Sequence, residues 1–94
     1  MNPAQNEELT RLRSLIDTVD GQVISLLARR MDICRQIGEI KKSGGADIVQ
    51  EGRREEVRAR LKTLAAKESL SEEFVLRLYD AVHEESVRVQ SGAE

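Results

Sequence analysis

Residues 6–42 read NEELTRLRSLIDTVDGQVISLLARRMDICRQIGEIKK, and this stretch decides the fold. Leu9, Leu12, Ile16, Val19, Val23, Leu26, Ile33, Ile37 and Ile40 advance by alternating threes and fours, the spacing of a heptad-like helical seam. Pro3 precedes the stretch and Ser43-Gly44-Gly45 follows it, so one uninterrupted helix is predicted from about Asn6 to Lys42. About 37 residues at 1.5 Å each reach roughly 55 Å. A compact globule of 94 residues is only roughly 32 Å across. The helix outruns its own domain, and two shorter helices cannot cover its whole apolar seam. A second copy of the chain is the simplest cover, which predicts an intertwined homodimer. The alternative is a break near Gly21 or Gly38, giving a monomeric three-helix bundle.

The remaining sequence supplies two further helices and no alternating strand pattern. One should start near Arg53, bury Val57, Leu61 and Leu64, and end around Lys67 to Glu68. The other has a defined start: Ser71 as cap, Glu72 and Glu73 at the positive end of the dipole, and Leu70 to staple onto Val75. Phe74, Leu78, Val82 and Val89 then carry its buried stripe to near Gln90. The fold class is therefore all-α, a three-helix chain forming a single domain over residues 1–94.

Composition narrows the function. Apolar residues at 39% and charged residues at 34% describe a chain that folds. Fifteen Lys and Arg against 17 Asp and Glu, interleaved, give no broad positive field, so nucleic acid is not an expected partner. The N-terminus lacks the basic start and apolar core of a signal peptide, and no apolar run reaches membrane-spanning length. A cytoplasmic location is the expectation, with no membrane association. Cys34 is the single cysteine and reads as a core thiol, and His83 is the single histidine. Neither an intrachain disulfide, a cysteine zinc cluster, a multi-histidine metal site nor a catalytic triad can be assembled.

The informative residues are cations where a core should be. Arg30 fills the one gap in the seam, and Lys41 follows 11 residues later on nearly the same face. Burying an unpaired charge costs several kcal/mol, so these two call for carboxylate partners such as Asp20, Asp32 or Glu39, for snorkelling to water, or for a bound anion. Arg53 and Arg54 fall near a helix N-terminus that welcomes anions, although Glu51, Glu55 and Glu56 surround them as on an ordinary solvated face. Ser86 and Gln90, four apart, place a hydroxyl and a carboxamide beside buried surface.

The joint spacing of Leu12-Arg13, Asp17, Asp20, Leu26-Leu27-Ala28-Arg29-Arg30, Ile37-Gly38-Glu39-Ile40-Lys41, Arg53 and Glu84-Glu85-Ser86-Val87 with Gln90 resembles the all-helical class of chorismate mutases. The resemblance covers essentially the whole chain, and that family's fold is an intertwined dimer of three-helix chains. It implies that Arg30 binds a substrate carboxylate, that Lys41 contacts a carboxylate and the ether oxygen, and that Gln90 donates to the same oxygen. Arg53 is similar to the family arginine near the ring carboxylate, Ser86 to its supporting hydroxyl, and Arg13 to the arginine contributed by the other subunit. The chain departs from the family at the second helix. Many members read Asp-x-x-Arg-Glu, whereas the ungapped reading here is Gln50-Glu51-Gly52-Arg53-Arg54, which puts Gln50 and Arg54 at the substrate ring hydroxyl. A one-residue slide would restore Glu51-Gly52-Arg53-Arg54-Glu55.

The implied activity is the rearrangement of chorismate to prephenate in aromatic amino acid biosynthesis, with no cofactor and no metal. Three rivals accompany it: a mutase of 4-amino-4-deoxychorismate in a specialised pathway, an isochorismate-pyruvate lyase, and a non-catalytic helical dimer serving as an interaction module. An arginine at the ring would disfavour the ammonium of the amino substrate, which points to chorismate.

Overall fold

The computed structural model describes residues 1–44 and 51–92. Among the described residues every regular element is a helix: α1 Pro3–Gly44, α2 Glu51–Lys67 and α3 Glu72–Gln90. The all-α class is the one the periodicity predicts. Helix α1 runs through Gly21 and Gly38 for 42 residues without interruption. The break expected in the monomeric alternative does not occur.

Helix α1 starts three residues earlier than its apolar pattern predicts, and the cause is local. The Gln5 N–H donates to Asn2 Oδ1 at 2.8 Å, and the Asn2 N–H donates to Gln5 Oε1 at 2.9 Å. This reciprocal pair is a capping box, with Pro3 at the first helical position, where its missing N–H has no helical acceptor to lose.

The chain divides into two compact units, Met1–Arg30 and Met31–Glu94. The first is a stretch of α1, and none of its residues is buried. Ile16, Val19 and Leu26 of the seam are 58%, 53% and 62% exposed.

The second unit holds the core. Leu61, Ala65 and Val75 cluster between α2 and α3, with Val57, Leu76 and Tyr79 packed against them. The face of α2 is thus Val57, Leu61 and Ala65, in steps of four, and Leu64 remains exposed; a small alanine lets the two helices close. Helix α3 buries Val75, Val82, Ser86 and Val89. Phe74 and Leu78, expected in that stripe, are exposed, because the inward line passes one residue later at Val75. Within this unit α1 buries Cys34 and Gly38. Ile33, Ile37 and Ile40 of the seam remain exposed beside them.

The turn joining α2 to α3 is a Schellman motif. Leu70 N–H reaches back to the Ala65 carbonyl at 2.8 Å and Ser69 N–H to that of Ala66 at 3.2 Å. Ser69 takes the left-handed position, φ 58°, where glycine is customary. Ser71 then caps α3, its side chain accepting from the Phe74 N–H at 3.2 Å. Leu70, the expected staple, is half exposed.

Candidate active site

Met31, Cys34, Gly38 and Lys41 follow one another by three, four and three residues, so Lys41 extends the face of α1 that this unit buries. Ser86, Val89 and Gln90 likewise share the buried side of the last turns of α3. The two helices bring their polar residues together: Lys41 Nζ donates to Gln90 Oε1 at 3.4 Å, across 49 residues of chain, and both side chains are half-buried. An ammonium carries donors only, so the atom it meets on Gln90 is the amide oxygen, and the amide –NH2 is turned away from that contact. An acceptor such as an ether or carboxylate oxygen would therefore have to lie beside the pair, reached by Lys41 Nζ from one helix and by the Gln90 –NH2 from the other, not between the two contacting atoms.

Ser86 is buried beside this pair. Its hydroxyl donates to the Val82 carbonyl at 2.8 Å, with Met31 Sδ at 3.9 Å. One hydroxyl has one proton, and the shorter bond to the better acceptor holds it, so Ser86 presents oxygen lone pairs to its other neighbours.

The arginines of α2 part company. Arg53 points outward and pairs with Glu56 at 3.4 Å, both well exposed. Arg54 is half-buried, shares the inward face with Val57, Arg58 and Leu61, and pairs with Asp80 of α3 at 3.6 Å. Arg58 Nη1 donates to the same Asp80 oxygen. Two arginines thus converge on one carboxylate. Asp80 was not singled out by sequence reasoning; its signal is the i, i+4 spacing of Arg54 and Arg58, which puts two cations on a face that needs an anion opposite.

Arg13 and Arg30 belong to the first unit, Arg13 exposed and Arg30 half-buried. Gln50 lies outside the described residues. Asp32, a possible partner for the seam cations, is engaged by Arg35 at 2.8 Å. Near the end of α3, Arg88 donates through Nε and Nη2 to both oxygens of Glu85, at 2.7 and 2.6 Å. Those bonds hold the Glu85 carboxyl below its ordinary pKa. Cys34 is a buried thiol, as expected. Among the described residues no group of three or more His, Cys, Asp and Glu could hold a metal ion, and no helix is long and apolar enough to cross a membrane.

Residues 12–91 match the family model of chorismate mutase type II. The chain belongs to the chorismate mutase type II family. As a member of it, the chain is an isomerase by class. It is 35% identical over 86 residues to the 4-amino-4-deoxychorismate mutase of Streptomyces venezuelae, covering 92% of this chain and 84% of the relative. The 4-amino-4-deoxychorismate mutase of Streptomyces pristinaespiralis is 30% identical over 87 residues, 93% of this chain and 67% of the relative. The chorismate mutase of Methanocaldococcus jannaschii is 24% identical over 84 residues, 89% and 85% of the two chains. The family's all-helical architecture agrees with α1 to α3.

Proposed function

We propose that this family member rearranges chorismate to prephenate as a cytoplasmic homodimer, with Lys41 and Gln90 acting together on the ether oxygen. The observation that carries the reading is their meeting at 3.4 Å from two different helices. In a [3,3] rearrangement the ether carbon–oxygen bond breaks as a carbon–carbon bond forms, the electrons moving round a ring with no atom or proton lost. The reaction asks for neither nucleophile, base nor redox partner. It asks for a folded substrate conformer and for donors where charge accumulates on the departing oxygen. In this reading Arg13, Arg30 and Arg53 hold the two carboxylates by charge-assisted hydrogen bonds, Arg53 exchanging its exposed pair with Glu56 for the substrate, and Ser86 is the supporting hydroxyl near the ring carboxylate.

A second substrate has specific support. The two Streptomyces relatives are named for 4-amino-4-deoxychorismate. An arginine about 4 Å from the ring ammonium would repel it by roughly 4 kcal/mol at an effective dielectric of 20. Arg54, which the ungapped reading puts there with Gln50, has the Asp80 carboxylate beside it, and that penalty shrinks accordingly. Measuring kcat/KM with chorismate, the amino analogue and isochorismate decides between them. The chorismate reading expects the highest value for chorismate and prephenate as product. Preference for the amino analogue promotes the second reading, pyruvate release from isochorismate makes the protein a lyase, and inertness toward all three leaves an interaction module.

The homodimer is supported by the exposed seam of α1. Full burial of one such aliphatic side chain contributes about 1.5–3 kcal/mol, so covering even half of the seam's exposed surface stabilises an assembly by several kcal/mol. Sedimentation should give twice the mass of the chain at micromolar concentration. A folded and fully active monomer there rejects both the dimer and the role given to Arg13.

A further inference from the structure

We propose that Gly38 is a positioning residue for the rearrangement, fixing the separation of Lys41 and Gln90; this rests on reading those two side chains as the ether-oxygen donors. A methyl group built on Gly38 would lie 2.4 Å from the carbonyl oxygen of Gln90, 2.8 Å from its Cα and 3.0 Å from its carbonyl carbon. All three are backbone atoms of α3, so no rotamer change relieves the overlap. Ordinary van der Waals contact begins at 3.4 Å, and α1 and α3 would have to part by about 1 Å to reach it. Gly21, in the same helix, meets nothing within 4 Å. The close approach is therefore particular to position 38, one turn before Lys41 and against the very residue whose side chain Lys41 meets.

The pair has no slack to absorb such a shift. At 3.4 Å it is already at the long end of hydrogen bonding, and a displacement of about 1 Å at a reacting centre is enough to cost on the order of a hundredfold in rate. Glycine weakens a helix interior relative to alanine. Its presence at a buried crossing is explained by what the missing Cβ lets meet.

The test is Gly38→Ala in the full chain, with kcat and KM for chorismate and the amino analogue, circular dichroism, and a double-mutant cycle with Gln90→Ala. The expected variant is folded, with kcat lowered about ten- to a hundredfold and KM within about threefold of the parent for the preferred substrate, because the arginines that clamp the carboxylates lie elsewhere. In the Gln90→Ala background the same substitution should change kcat by less than about twofold, the donor it positions being already gone. An equal loss in both backgrounds marks a packing role and overturns the proposal. So does parental kcat in Gly38→Ala, or a chain that no longer folds. Parental kcat in Gln90→Ala alone removes the donor reading itself, and is distinguished by that measurement from a failure of positioning.

Discussion

Replacing Lys41 by alanine should lower kcat by about a hundredfold or more, since loss of one donor to a developing oxyanion typically costs that much, about 2.7 kcal/mol. The effect belongs mainly to turnover because the charge on the ether oxygen is small in the bound substrate and large in the transition state, whereas the carboxylate that Lys41 also contacts is held by the arginines as well. Stability should be little altered. Alanine is the better helix former, and Lys41 lies in the last turn of α1, where removing its stem leaves no closed cavity. Steady-state kinetics together with a thermal melt check both halves. Near-parental turnover in a folded variant would reject the contact with the ether oxygen.

The second large effect is a pH dependence created by Gln90→Glu. A carboxamide donates at every ordinary pH, but a carboxyl donates only when protonated, and its reference pKa is about 4.3. The Lys41 ammonium beside Oε1 favours the ionised form and moves that value further down. The protonated fraction, and kcat with it, should therefore rise about tenfold for each unit the pH falls between 8 and 5. The parent should show no such slope from this residue. At pH 8 the variant should be depleted in activity by more than about a hundredfold. Superimposable profiles for parent and variant would count against Gln90 as a donor.

The helices were legible because their signals are local. Ser71 with Glu72 and Glu73 announced α3, and the three-and-four spacing from Leu9 to Ile40 announced α1. The start of α1 lies ahead of its apolar pattern because Asn2 and Gln5, both polar, cap it with Pro3 as the first helical residue, a signal that apolar spacing does not carry. Which face of each helix turns inward was less legible. One position around a helix is about 100°, so Phe74 and Val75 are equally good apolar residues until the partner helix chooses Val75. The same ambiguity governs Arg53 and Arg54, adjacent in sequence and sent by α2 in different directions. Lys41 and Gln90 could be nominated by type and spacing, but their meeting depends on the α1–α3 crossing at Gly38, which no local pattern encodes.

The short turn at Glu68–Ser71 has a bearing on how the molecule assembles. Closing a loop costs free energy that grows as about 1.5RT times the logarithm of its length. Leu61, Ala65 and Val75 find one another across one tight connection, whereas Lys41 and Gln90 must close 49 residues. The difference is of order 1–1.5 kcal/mol before any contact offsets it. The α2–α3 hairpin is thus a cheaper nucleus than the α1–α3 crossing, and the Lys41–Gln90 pair is completed only once α1 docks on it. A nascent chain offers the same order in reverse: α1 is synthesised before the hairpin on which its last turns dock.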